Sequence, residues 1–143
     1  MISVLILTRN EQQDLPGCLA SVSWSDDIHV FDSQSTDTTI EIAKAAGAET
    51  HTRTFDDYAT HRNTALATVS FKYPWVFLLD ADERPTPELS REMQQLALAS
   101  PPAIAATSKR TILAGHSSSL VRAKESPRPG RPRGEGGGRR AAA

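Results

Sequence analysis

The chain has 143 residues, enough for one domain with a real core, and a formal net charge of −1. That charge is unevenly spread: residues 1–107 carry 7 Lys and Arg against 15 Asp and Glu, whereas residues 108–143 carry 9 against 2. A single cysteine, Cys18, excludes an internal disulfide and a cysteine metal cluster, fits a reducing compartment, and suits a small core position on a helix. The apolar start is too short and lacks the basic leader of a signal peptide, and no run is long enough to span a bilayer.

Ile2 to Leu7 is nearly continuously apolar, the pattern of a parallel strand covered on both faces, and it ends in Thr8, Arg9, Asn10 and Glu11. Leu15, Cys18, Leu19 and Val22 follow at helical spacing, with Pro16 and Gly17 blurring where that helix begins. Ile28 to Phe31 is a second short strand and ends in Asp32. The polar turn Ser33 to Asp37 leads to a helix capped by Asp37 or Thr38, running to Ala46 and stopped by Gly47; Thr38 with Glu41 fits a capping box. Glu49 to Arg53 reads as an edge strand, Phe55 to Tyr58 as a loop, and Tyr58 to Val69 as a helix. Trp75 to Leu79 is the next buried strand, and Pro87 to Ala99 a helix with proline in its first turn. Alternating strands and helices imply an α/β fold with a mostly parallel sheet and right-handed crossovers. Thr111 to Leu113 reads as one more strand. Beyond about Ser117 the residues are largely Ser, Arg, Pro, Gly and Ala, a composition expected to stay disordered. That basic tail lacks the interleaved aromatics of a nucleic-acid binder, so no nucleic acid is expected as a partner.

Three predicted strand ends carry polar residues: Thr8 to Glu11, Asp32, and Asp80 to Asp82. In a parallel sheet they fall on one edge, the edge where open α/β sheets bind ligands. Asp80 and Asp82, one residue apart after a buried strand, repel each other and suit a hard divalent cation, Mg²⁺ or Mn²⁺, held against a nucleotide diphosphate. Across this edge Thr8 and Asp32 would meet the base and ribose. No G-x-x-x-x-G-K-[ST] loop is present and no G-x-G-x-x-G follows the first strand, which argues against a P-loop enzyme and a dinucleotide oxidoreductase. The four histidines show no metal-ligand spacing, and His29 and His51 read as structural. Tyr58, Trp24 and Trp75 read as packing residues. Arg62 either reaches the nucleotide or lies on a solvated face.

Val4 to Glu11, Val30 to Thr39 and Leu79 to Glu83 resemble the successive blocks of family 2 glycosyltransferases of the GT-A fold. Trp24 to Asp27 and His61 to Asn63 resemble a branch that includes bacterial lipopolysaccharide core β-glucosyltransferases. The resemblance covers roughly residues 2–100. It implies inverting, metal-dependent transfer of a sugar from a nucleotide-sugar donor, a UDP-sugar, to a glycan or lipid-linked acceptor. It also implies a cytoplasmic protein, peripheral to the inner membrane where it touches one. By position Thr8, Glu11, Asp32, Arg62 and Asp80 would contact the nucleotide, and Asp82 with Asp80 the metal. Residues 1–107 would then be the nucleotide-sugar-binding part, and 108–143 a remnant of the acceptor half followed by the tail. Family members continue past this point with the half that carries the catalytic base. A truncated or frame-shifted product would explain the departure, and no base is identified here. The alternative is a non-catalytic nucleotide-sugar-binding fragment; a nucleotidyltransferase is disfavoured because no Gly-rich basic loop follows the first strand. Gln34 stands where the family usually has glycine, and a positive φ there would strain it.

Overall fold

The computed structural model describes residues 1–99 and 119–122. The elements are β1 (Ser3–Thr8), α1 (Leu15–Ser21), β2 (Ile28–Asp32), α2 (Thr39–Ala45), β3 (Glu49–Thr52), α3 (Tyr58–Thr68), β4 (Trp75–Asp80), α4 (Pro87–Ala99) and β5 (Ser119–Arg122). The sheet order is β3-β2-β1-β4-β5. The first four strands run parallel, as the alternation of elements predicts, and β5 joins β4 antiparallel.

β1 and β4 are apolar at successive positions because both faces are covered. Val4, Ile6, Phe77 and Leu79 point into a layer completed by Leu15, Cys18, Leu19 and Met93 from the helices. Leu5, Val76 and Leu78 point the other way, onto Phe31, Ala65 and Val69. Period-two alternation thus divides one apolar run between two cores. Cys18 is fully buried, as its helical spacing implies.

Three local expectations are refined. Pro16 lies in the first turn of α1, which starts only at Leu15, and a Cβ on Gly17 would come within 2.4 Å of the Arg84 guanidinium. The capping box at Thr38 does not form. Its hydroxyl donates instead to Gln12 Oε1 at 3.0 Å, and Asp37 Oδ1 accepts the Thr39 amide at 3.0 Å. At the other end Gly47, at φ +81°, lets the chain reverse while its amide and that of Ala48 bond the carbonyls of Lys44 and Ala43.

The expectation that the chain is disordered from Ser117 onward fails at Ser119–Arg122. This segment pairs with β4 in the register Phe77↔Leu120 and Trp75↔Arg122. Without it β4 would present a row of unpaired backbone groups at the sheet edge. Leu120 adds the apolar contact that the tail composition hides, packing against the larger core. Four residues of the 108–143 segment therefore belong to the sheet. The predicted strand Thr111 to Leu113 lies outside the described residues.

Candidate functional site

Register places the polar strand ends together. Thr8 is paired with Asp32, and Leu7 with Asp80, so the ends of β1, β2 and β4 share one edge. Thr8 Oγ1 donates to Asp32 Oδ1 at 2.6 Å. Asp32 also accepts the Ser35 amide at 2.7 Å and its hydroxyl at 2.6 Å. Asp32 is fully buried, so its carboxylate folds the turn after β2 and orients Thr8 from beneath. That turn in turn holds the loop after β1: Asn10 N–H donates to Ser35 Oγ, Thr36 N–H to Asn10 Oδ1, and Glu11 N–H to Thr39 Oγ1. Two residues in this interlock have left-handed backbones, Asn10 at φ 52° and Gln34 at φ 53°. Asparagine tolerates that region; Gln34 carries the strain the sequence suggested.

Over this edge opens a cavity of about 270 Å³ lined by Leu7, Thr8, Arg9, Glu11, Phe55, Tyr58, His61, Asp80 and Asp82. Four of the six predicted site residues thus face one space. Arg62 is not in the lining, but its charge is felt at Asp80, where it opposes the effect of burial and of Asp82. Asp32 lies behind Thr8 rather than in the lining.

The three acids of the cavity are mutually unfavourable. Burial first, then the Asp82 charge, raises the Asp80 carboxyl above the ordinary carboxylate range. Burial first, then Asp82, Asp14, Asp80 and Asp37, does the same to Glu11. A turn fixes the arrangement: the Glu83 amide donates to the Asp80 carbonyl at 3.0 Å, and Glu83 Oε2 accepts the Asp80 amide at 2.9 Å. Oxygen donors that raise one another's proton affinity fit a hard divalent cation, which would relieve the repulsion.

The aromatic side of the cavity was not legible as such. Tyr58, read as a packing residue, is 84% exposed, its ring edge-on to Phe55 at 5.1 Å. Trp24 and Trp75 do pack against the core as expected. The Arg9 guanidinium sits 5.8 Å over the Phe55 ring. A bidentate pair of Arg53 with Asp56, at 2.9 and 3.0 Å, ties down the loop that delivers Phe55. His61 is buried, with Nε2 3.0 Å from Ser33 Oγ and Nδ1 lacking a protein partner. Burial, then the nearby Arg53, pushes its imidazole below the ordinary range. Helical spacing could have flagged His61, which lies one turn before Ala65, the other buried residue of α3.

This sheet, with its acidic edge after β4, is a GT-A-like α/β fold. The chain belongs to glycosyl transferase family 2, which it matches over residues 3–133. Among curated proteins it is similar to a TPR repeat-containing protein of Synechococcus elongatus, at 42% identity over 84 residues covering 57% of this chain and 20% of that protein. It is also similar to an uncharacterized glycosyltransferase of Rickettsia bellii, at 35% identity over 94 residues covering 65% and 30%. The chain therefore spans less than a third of the length of either relative. Among solved structures it resembles glucosyl-3-phosphoglycerate synthase of Mycobacterium tuberculosis in complex with Mn²⁺, UDP and glucosyl-3-phosphoglycerate. That likeness has a TM-score of 0.58 and 25% identity, over 69% of this chain and 40% of that one. The same enzyme with Mn²⁺, UDP-glucose and phosphoglyceric acid matches equally, at TM-score 0.58 and 25% identity, covering 69% and 40%. No helix among the described residues is long and apolar enough to cross a membrane.

Proposed function

We propose that this chain forms the donor-binding part of an inverting glycosyltransferase that takes a UDP-sugar with Mg²⁺ or Mn²⁺ and serves a glycan or lipid-linked acceptor. The observation that carries this reading is the convergence of Thr8, Glu11, Asp80 and Asp82 on one cavity at the carboxyl edge of the sheet. The similar mycobacterial enzyme, in complex with Mn²⁺ and UDP-glucose, supports the choice of donor and ion.

In this reading Thr8 meets the nucleoside, and Asp32 acts through it by holding its hydroxyl and the Ser33 to Ser35 turn. Tyr58 and Phe55 offer ring faces to the base. Asp82, the more exposed of the two aspartates, would hold the ion, with Asp80 and Glu11 the other carboxylates of the same cavity. Arg62 approaches from α3 and steadies the diphosphate. The ion, when bound, supplies Lewis-acid stabilisation of charge on the departing diphosphate. The basic residues of 108–143 suit peripheral contact with an anionic lipid surface where the acceptor is membrane-borne.

Calorimetry of UDP binding, with Mn²⁺ and with EDTA, tests this. Binding that needs the ion, and that weakens more in Asp82→Asn than in Arg62→Gln, is expected. Equal affinity in EDTA overturns the metal role, and no UDP binding in either condition overturns the whole reading.

A further inference from the structure

At the opposite side of the sheet from β4, the edge strand β3 meets β2 in the register His29↔Glu49 and Phe31↔His51. Strand periodicity puts Glu49 and His51 on one face of β3, and His29 is the partner of Glu49 on that face. Three donor atoms converge there. His29 Nδ1 is 3.2 Å from His51 Nε2, His29 Nδ1 is 3.7 Å from Glu49 Oε2, and His51 Nε2 is 3.6 Å from Glu49 Oε1. A tetrahedral ion with bonds near 2.0–2.1 Å sets its ligand atoms roughly 3.3 Å apart. The His29–His51 separation matches that edge; the two Glu49 distances run to different oxygens, and with one atom from each residue the three lie within 4.8 Å of one another.

A second observation concerns orientation. His29 is 1% exposed, and its Nε2 lies 2.9 Å from Asp27 Oδ1. Nε2 therefore carries the proton and donates it to Asp27, which turns the Nδ1 lone pair toward His51 and Glu49. Asp27 is itself fixed, accepting from the Ser3 hydroxyl and from the Lys72 amide at 2.8 Å. A carboxylate behind a histidine, setting its tautomer and ring angle, is the outer support that metal-binding histidines use. Deep burial holds His29 in place, whereas His51 and Glu49 have side chains 25% and 66% exposed. The cluster thus has one rigid ligand, two adjustable ones and a path to solvent.

The plainer account is a hydrogen bond between two rings with a nearby acid. It explains the 3.2 Å contact, and the register brings Glu49 near both rings, but it assigns no role to the carboxylate that orients His29 from behind. Burial first, and then His29, lower the His51 pKa, with Glu49 opposing them.

We propose that His29, His51 and Glu49 form a site for a borderline divalent transition-metal ion of the zinc class, separate from the all-oxygen cluster around Asp82. Two imidazole nitrogens and one carboxylate oxygen suit such an ion better than Mg²⁺. His29 Nδ1 donates its lone pair directly. The proton that His51 Nε2 shares with His29 Nδ1 moves to His51 Nδ1, freeing Nε2 as the second ligand. One Glu49 oxygen is the third, and water completes the shell on the exposed side. The ion would clip edge strand β3 to β2, and β3 leads directly through Arg53 to Phe55 in the cavity.

The test is titration of Zn²⁺ and Co²⁺ into the full chain carrying Asp82→Asn, which weakens the competing cluster of carboxylates in the cavity. One equivalent of Zn²⁺ per chain is expected, and the Co²⁺ form should show the intense visible absorption of a four-coordinate, nitrogen-ligated ion. Adding His51→Ala should weaken binding by at least about tenfold and abolish that absorption. Glu49→Gln, at an exposed position that cannot threaten folding, should weaken it as well. Absence of stoichiometric binding overturns the proposal. So does unchanged affinity in both added variants, or a Co²⁺ spectrum of the weak octahedral type. Because UDP is absent throughout, these outcomes are independent of the donor-binding reading.

Discussion

Thr8 and Asp32, at the ends of neighbouring strands, are joined by a 2.6 Å hydrogen bond from the Thr8 hydroxyl to Asp32 Oδ1, with both residues buried. The bond makes the turn after β2 and the floor of the cavity one unit. A buried carboxylate that accepts three hydrogen bonds is costly to alter, because each donor left behind is desolvated and unpaired. Asp32→Ala is expected to destabilise the fold by about 2–4 kcal/mol in urea denaturation, and Thr8→Val by about 1 kcal/mol. If Asp32→Ala leaves stability within experimental error, the bond does not organise the turn.

Asp82 should oppose stability and serve binding. After burial, the larger cause, its charge raises the carboxyls of both Asp80 and Glu11. A carboxyl whose pKa is higher in the folded state than in the unfolded one holds its proton better when folded. The ion-free protein therefore gains stability as pH falls through the range just above ordinary carboxylates, and loses it again as pH rises through the folded pKa. Asp82→Asn should raise Tm in EDTA by about 1–3 °C while lowering Mn²⁺-dependent UDP affinity. In the wild type, Mn²⁺ affinity should fall on acidification across that same window, since binding needs both carboxyls ionised. Thermal melts in EDTA and calorimetry at stepped pH check both halves. A lowered Tm in the variant would mean that the acids do not repel.

Tyr58 separates binding from folding. With 84% of its surface exposed, its loss should change stability by no more than about 0.5 kcal/mol. Tyr58→Ala should nevertheless weaken UDP binding several-fold, because the ring lines the cavity beside Phe55. Unaltered UDP affinity would remove Tyr58 from the site.

Gln34 is exposed at φ 53° and pays a backbone cost that glycine avoids. Gln34→Gly should stabilise the chain by about 0.5–1 kcal/mol, read from the shift of the urea midpoint at constant slope. Destabilisation would show that the Gln34 side chain contributes more than its backbone costs.

Leu120 tests the fifth strand. It pairs with Phe77 and packs on the larger core. Leu120→Asp should cost about 1–3 kcal/mol and promote self-association through the bared edge of β4, seen by sedimentation at rising concentration. A variant as stable and as monomeric as the wild type would show that β5 is not held to the sheet.

The sequence alone determined the parallel core. Continuous apolar runs at β1 and β4 cannot be half-solvated, and each ends in a polar group, so strand type, order of elements and the acidic edge followed from short-range pattern. Asp80, Asp82, Thr8 and Glu11 were legible because a parallel sheet puts all its strand ends on one side. Tertiary structure decided what depends on distance between remote segments. Composition called the tail featureless, yet Leu120 reaches Phe77 because β4 has an open edge to fill. Asp32 was expected to meet the nucleoside, and the register with Thr8 and the turn at Ser35 bury its carboxylate behind Thr8. Tyr58 looked like core, and only the path of the loop after β3 turns it to the cavity. His29 and His51 lie 22 residues apart with no metal-ligand spacing, and Glu49 joins them only through the β2–β3 register. Spacing along the chain reports one strand or one helix at a time; a site built across strands is written in their pairing.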